Sequence, residues 1–337
     1  MKKSLVSISL LALLAVGAPT LCGTPLTAQA AAAPMTVAPE KWKTIAELDP
    51  KVVEAARLAM QALAEGKVIE LDEIRGANQD CWVIAAKNNR GTVLVTKDTG
   101  EVVSVRVHFS LDEVNPQLRQ TFENTLKEMD PKKEFSIDQV ERVKWEKENI
   151  WSFSGMYANV SIDPQTGKVI SASATYSLQE VPAQVAQTAQ QTLRALSGNQ
   201  AITLTPSVTL YKHPEQFIDK VWSFMDTGGN YGVGIGGATG KVVSLNKYAE
   251  IEGDKFVFAQ DIPKVFAKPF YTKEEAVAAA NPLVKKHFQL DLNGYNTAVQ
   301  YDTYTFTKPG KPTVIGKINK NGVFWDILVT PENGLAK

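Results

Sequence analysis

Gly232, Gly234 and Gly237 satisfy the spacing G-x-G-x-x-G, which in a dinucleotide-binding turn brings backbone amides against a pyrophosphate at a helix N-terminus. That chemistry needs a helix directly after the glycines. Residues 241–245 (Lys-Val-Val-Ser-Leu) read as a strand, so the glycines are expected to relax a sheet or admit a neighbouring backbone closely. The three histidines, His108, His213 and His287, fall in a strand, a loop and a helix end, with no H-E-x-x-H and no paired cysteines to complete a zinc set. A Cys–His nucleophile would need Cys81 exposed beside one of them. Its place next to Trp82 predicts a small buried thiol on the helix-facing side instead. Glu70, Asp72 and Glu73 suggest acid–base work, but they alternate with Ile69, Leu71 and Ile74 as a solvated sheet face would. Trp82, Trp151 and Trp222 could stack on sugars, but each occupies the same place in its unit, which reads as core anchoring. Asn159-Val160-Ser161 is a glycosylation sequon. No G-x-S-x-G is present. The chain is thus expected to have no catalytic, cofactor-binding or metal-ligating residue.

The elements that would position such groups are repeated. Asp98-Thr99-Gly100-Glu101-Val102-Val103-Ser104 returns as Asp163-Pro164-Gln165-Thr166-Gly167-Lys168-Val169-Ile170-Ser171 and as Ala238-Thr239-Gly240-Lys241-Val242-Val243-Ser244. A worn copy is Pro331-Glu332-Asn333-Gly334. A tryptophan precedes each full copy, and repeated spacing means repeated structure. Helix starts recur at Leu48-Asp49-Pro50, Val114-Asn115-Pro116 and Val181-Pro182, with the prolines evenly spaced. One apolar stripe follows each start: Val52, Ala56, Met60 and Leu63; Leu118, Phe122, Leu126 and Met129; Val185, Ala189, Leu193 and Leu196. Behind the first helix, extended segments are expected at 68–74, 81–86, 92–96 and 101–109. In the last, Val103, Val105, Val107 and Phe109 face one way and Ser104, Arg106 and His108 the other. The Thr-Gly step is the hairpin between the last two strands, with glycine (Gly167, Gly240) supplying positive φ.

A fourth copy opens with the capping box Thr272-Lys273-Glu274-Glu275, and Pro282 is expected to kink its helix or end a turn there. Strands are expected at 298–307, 313–318 and 323–330. The closing strand is expected to be missing, because three residues remain after Gly334. That leaves 323–330 as an edge to be covered by the 251–271 segment, a neighbouring unit or an external peptide, with Lys255-Phe256-Val257-Phe258-Ala259 of the segment as the expected cover. The fold class is therefore α+β, in tandem units that each lay a helix on a four-stranded antiparallel meander. The layout is signal peptide 1–30, tether 31–47, repeats 48–112, 113–179 and 180–250, linker 251–271, and a shortened repeat 272–337.

Lys2 and Lys3, the apolar run 5–16 and Ala28-Gln29-Ala30 read as a secretory signal peptide with its cleavage site. Leu21 before Cys22 does not suit a lipidation site. The chain has 36 basic and 36 acidic side chains, and loss of Lys2 and Lys3 leaves a mature net charge of −2. Nothing in that balance attracts nucleic acid or an anionic membrane over a long range. With Cys22 removed, Cys81 has no internal disulfide partner, and stability must come from apolar cores.

The segment 159–171, Asn-Val-Ser-Ile-Asp-Pro-Gln-Thr-Gly-Lys-Val-Ile-Ser, after Trp151-Ser152-Phe153, resembles the PepSY domain and its relative, the YcdB/YcdC-type repeat of exported bacterial proteins. The resemblance covers nearly the whole mature chain as tandem copies, with Gly236 and Thr330 where Asp163 would fall. PepSY domains occur in propeptides of thermolysin-like peptidases, which implies a non-catalytic inhibitory or binding role. The expected protein is secreted or held at the cell envelope. It restrains or chaperones a secreted peptidase, or docks at the envelope, by taking an extended peptide into a groove between units or at a bare sheet edge. The rival reading is an enzyme whose site is assembled across repeats, betrayed by a cleft of titratable groups with mutually shifted pKa values.

Overall fold

Each long helix begins where a side chain or a proline deals with amides that the first turn leaves unbonded. Asp49 accepts from the Lys51 amide at 2.8 Å and Pro50 opens helix α1, Pro50–Leu63. Asn115 accepts from the Gln117 amide at 2.8 Å and starts α2, Pro116–Met129. Helix α3, Ala183–Leu196, has Pro182 at the cap. After the short α4, Ile262–Val265, the Thr272/Glu275 capping box forms as expected and opens α5, Lys273–Phe288. Pro282 does not end α5, which runs unbroken through it. Ahead of α1, α2 and α3 lies a further device that the sequence reading passed over. The pairs Thr44/Glu47, Ser110/Glu113 and Ser177/Glu180 each close a capping box on one 3-10 turn. The computed structural model describes residues 44–332 except 78, 79, 146, 147, 215 and 218. The signal peptide with Cys22, residues 31–43 of the tether, and residues 333–337 with the 333–334 turn lie outside the described residues.

Sixteen strands among the described residues fall into four groups. They are β1 Leu71–Ala77, β2 Cys81–Ala86, β3 Gly91–Thr96 and β4 Val102–Phe109; β5 Gln139–Trp145, β6 Glu148–Ser154, β7 Ala158–Ile162 and β8 Val169–Ser177; β9 Ser207–Lys212, β10 Val221–Met225, β11 Tyr231–Gly236 and β12 Val242–Lys247; β13 Asn296–Gln300, β14 Thr303–Thr307, β15 Pro312–Ile318 and β16 Phe324–Glu332. All join one antiparallel sheet, ordered β1 through β12 and then β16-β15-β14-β13. The α+β expectation of tandem helix-on-meander units is corrected by this finding. The protein is mostly β, a single sixteen-stranded sheet with five α-helices among the described residues. The reason is that the outer strands of each group are not edges. β4 pairs with β5 from Ser104↔Trp145 to Phe109↔Val140, and β8 with β9 from Ala172↔Lys212 to Ser177↔Ser207. These ladders satisfy backbone groups that separate sheets would leave open.

The end of the chain departs furthest from expectation. The segment expected as one strand at 298–307 is a hairpin, β13–β14, turning at Tyr301-Asp302 with Tyr301 at φ 57°. No strand is missing from the fourth group. β16 is no edge either, because it pairs with β15 and, through Ser244↔Leu328 to Asn246↔Asp326, with β12. The 251–271 segment forms 3-10 turns and α4 rather than a covering strand. The first strand also starts later than expected, at Leu71, and is bulged twice.

The helices lie on one face. The first core joins the α1 stripe (Val52, Ala56, Met60, Leu63) to Ile84, Val95 and Val107, and continues past the stacked Phe122–Phe153 pair at 4.8 Å to Leu193, Phe224 and Ile235. A second core gathers Ala280, Val284, Leu292, Tyr304 and Phe306 around α5, and Phe288 packs against both. Full burial of each large apolar side chain contributes about 1.5–3 kcal/mol. On the helix face Arg142 of β5 joins Glu65 beyond α1 at 3.3 Å, and its guanidinium lies 5.4 Å from the Trp151 ring centroid. The Thr-Gly hairpins have Gly100, Gly167 and Gly240 at φ 72°, 66° and 65°, the region the sequence reading required.

Candidate functional site

A sheet of sixteen strands with linear order has two edges, and here they differ in kind. β1 carries Asp72, Glu73 and Arg75 and two register breaks, the usual means of discouraging further pairing. β13 reads Asn-Thr-Ala-Val-Gln, has no charge, and pairs with β14 in unbroken register from Asn296↔Thr307 to Gln300↔Thr303. A two-residue turn makes Gln300↔Thr303 the hydrogen-bonded closing pair. Alternation then directs the N–H and C=O of Thr297 and Val299 outward, away from β14. Asn296, Ala298 and Gln300 are exposed along this edge.

Beside β13, helix α5 forms the wall of a groove. One hollow of about 680 Å³ is lined by Val277, Ala278, Asn281, Pro282, Tyr295 and Thr297, among others. A second, of about 640 Å³, continues it past Phe270, Tyr271, Ala298 and Val299, and the two share Lys273 and Thr297. The groove is built by the local sequence. Asn281 donates to Asp291 at 3.1 Å and accepts from the Leu292 amide at 2.8 Å, which fixes the chain between α5 and β13. Pro282 has no N–H, so the carbonyl of Ala278 loses the partner that a continuous helix would supply. Thr297 is 8% exposed, and its hydroxyl has no hydrogen-bond partner among the described residues. A buried hydroxyl without a partner costs about 1–3 kcal/mol, and a native structure keeps few. The groove therefore offers outward amides, a helix carbonyl and a hydroxyl, set against Val277, Pro282 and Tyr295.

A second polar arrangement lies on the face away from the helices. Asn246, Asp326, Lys317 and Thr303 stand in register across β12, β16, β15 and β14. Asn246 donates to Asp326 at 3.1 Å, Lys317 lies 3.9 Å from the same carboxyl, and Thr303 donates to Asp302 at 3.0 Å. Burial pushes the Asp326 carboxyl up to about 6, against the pull of Lys317 and Asn246, and burial also raises Asp302. These carboxylates do not line the groove.

The residues singled out in the sequence are not brought together. Gly232 and Gly234 lie in β11 and Gly237 in the turn to β12, so no helix follows them. The Gly237 amide donates to the Lys220 carbonyl at 2.6 Å, a close backbone approach. His108 sits 3.5 Å from the buried Glu141, which also meets Arg106 at 3.4 Å. His213 is in the loop after β9. His287 ends α5, where burial lowers its pKa to about 4. No group of three possible metal-ligating His, Cys, Asp or Glu residues occurs among the described residues. Trp151 and Trp222 are buried in the first core, while Trp82 is half-buried with Lys97 above its ring at 4.6 Å. Glu70 pairs with Lys87 and Glu73 with Arg75 in solvent. Cys81 is buried, but its expected position on the helix side is corrected. Trp82, Ile84 and Ala86 pack toward the helices, so Cys81 takes the opposite face with Val83 and Ala85. Sequence reasoning missed β13, Thr297 and the Asp326 row. The proline of α5 was visible, but not that it borders a groove.

No family model matches the chain, and no curated protein does. Among solved structures it is similar to a DUF2874 family protein from Bacteroides uniformis, at 16% identity over 43% of this chain and 99% of that one, with a TM-score of 0.25. A likeness of that size carries no argument about fold or function.

Proposed function

We propose that this chain is an exported, non-catalytic binding protein of PepSY type that takes an extended peptide as an added strand on β13, in the groove beside α5. The observation that carries the reading is the regular, uncharged β13 edge next to a groove containing a buried hydroxyl without a partner. Main-chain hydrogen bonds from Thr297 and Val299 supply affinity, and side chains pointing toward α5 supply selectivity. The PepSY resemblance of 159–171 and the signal-like start support a peptide of a secreted peptidase, or of an envelope protein, as the occupant. The rival enzyme reading has its best residues in the Asp302–Lys317–Asp326 row. The test is titration of the protein with the synthetic peptide Phe-Thr-Val-Thr-Val-Thr-Asp-Asp, followed by fluorescence anisotropy and amide hydrogen exchange. Binding should slow exchange at Thr297 and Val299 selectively, and Val299→Pro, which removes one outward donor, should weaken it about tenfold, equivalent to about 1.4 kcal/mol. Binding that protects other strands and is indifferent to Val299→Pro would overturn the reading.

A further inference from the structure

The two ends of the groove differ in charge, and that asymmetry bears on how a strand lies in it. Helix α5 and β13 run in opposite directions. Thr272, Lys273 and Glu275 stand beside Ala298 and Val299, while Lys285 stands beside Asn293, Gly294, Tyr295 and Asn296. At the first end the carboxylates of Glu274 and Glu275 outnumber the ammonium of Lys273. At the second end Lys285 and Lys308 outnumber Asp291. Lys285 lies 3.3 Å from Asp291, and Lys308 donates to the Asn293 carbonyl at 3.2 Å while standing 5.7 Å from the Tyr295 ring centroid. The Lys308 ammonium is also 3.3 Å from where a side chain on Gly294 would begin, so it overhangs the mouth of the groove. Phe270, 47% exposed, borders the opposite end with Tyr271.

We infer that the added strand runs antiparallel to β13, with an apolar residue at its leading end against Phe270 and an acidic residue or free carboxylate at its trailing end between Lys285 and Lys308. This rests on the strand-addition reading above. In an antiparallel strand the N-terminus lies at the Gln300 end and the C-terminus at the Asn296 end, so the strand meets charges of opposite sign at its acidic end. A parallel strand of the same composition would bring its acidic end to Glu274 and Glu275. Antiparallel pairing is also slightly the more stable per residue. Charge placement of this kind sets register and orientation more than total affinity.

The experiment compares Phe-Thr-Val-Thr-Val-Thr-Asp-Asp with its reversed sequence, Asp-Asp-Thr-Val-Thr-Val-Thr-Phe, on the wild-type protein and on the double variant K285Q/K308Q, at low and at physiological salt. The forward peptide should bind at least tenfold more tightly, and the double variant should lose most of that preference while leaving the reversed peptide unchanged. Equal binding of the two peptides, or tighter binding of the reversed one, would overturn the orientation and leave strand addition standing. Failure of both peptides to bind the wild-type protein would overturn strand addition itself, and the orientation with it. The two-peptide comparison on the wild-type protein decides the matter even where the double variant does not fold.

Discussion

Replacement of Asp326 by Asn should remove one contribution to stability that falls as pH rises from about 4 to about 6. Asp326 sits between β12 and β15 with its side chain 15% exposed, accepts from Asn246 and has Lys317 at 3.9 Å. Burial raises its pKa from the ordinary 3.8 to about 6. A carboxyl raised in the folded state favours folding while it is protonated. That contribution is fully present below pH 4, and it is lost as pH rises from about 4 to about 6, because the unfolded chain ionises first. The difference between 3.8 and about 6 corresponds to about 3 kcal/mol, an upper value for a side chain that keeps some solvent. Urea unfolding of wild type and Asp326→Asn at half-unit steps from pH 4 to 8 gives the difference curve. In that difference the opposite pH dependence of groups such as Glu180, lowered to about 2 by the Ser177 amide and Lys133, cancels. The variant should gain on the wild type by up to about 3 kcal/mol between pH 4 and 6 and show no further change above. A difference that stays flat across that window would refute the argument, whatever its absolute size.

Thr297→Val should stabilise the free protein by about 1 kcal/mol, because a methyl replaces a buried hydroxyl that lacks a partner, and a lowered urea midpoint would contradict this. Gly167→Val and Gly240→Val should each cost about 1–2 kcal/mol by forcing a β-branched residue to positive φ, read as a fall in melting midpoint. Arg142→Ala should cost about 1–3 kcal/mol, since it removes bonds to Asn149 and the Ile150 carbonyl as well as the Trp151 contact, and an unchanged midpoint would show that these contacts add nothing. Burial raises the Cys81 thiol, so a thiol reagent should modify the native protein far more slowly than the urea-unfolded chain.

The features legible in the sequence are those written by neighbours in the chain. Asp49, Asn115 and Thr272 announce their helices because a cap and its amide are two or three residues apart. Gly167 and Gly240 announce their turns because only one residue type takes positive φ without strain. The continuity of the sheet was not legible, because β4 finds β5 across a helix, and no residue of either says that the strand has a second partner. The β13–β14 hairpin was missed because Tyr301-Asp302 holds neither glycine nor proline. The groove was beyond reach for a related reason. It exists where a strand has no second partner among the described residues, and that depends on the order of all sixteen strands. The error over Cys81 was different, since two adjacent residues of a strand cannot share a face and Trp82 had already claimed the helix side.

The reversed order of the last four strands has a mechanical consequence. Tension applied at β1 acts on the outermost strand of a meander, which can peel away one ladder at a time at low force. Tension applied to the C-terminal end of β16 acts on a strand held by β12 on one flank and β15 on the other. Pulled along its axis, β16 must shear both ladders together, so β1 and β16 should yield at unequal loads, with resistance concentrated at the seam where the fourth group turns back on the third.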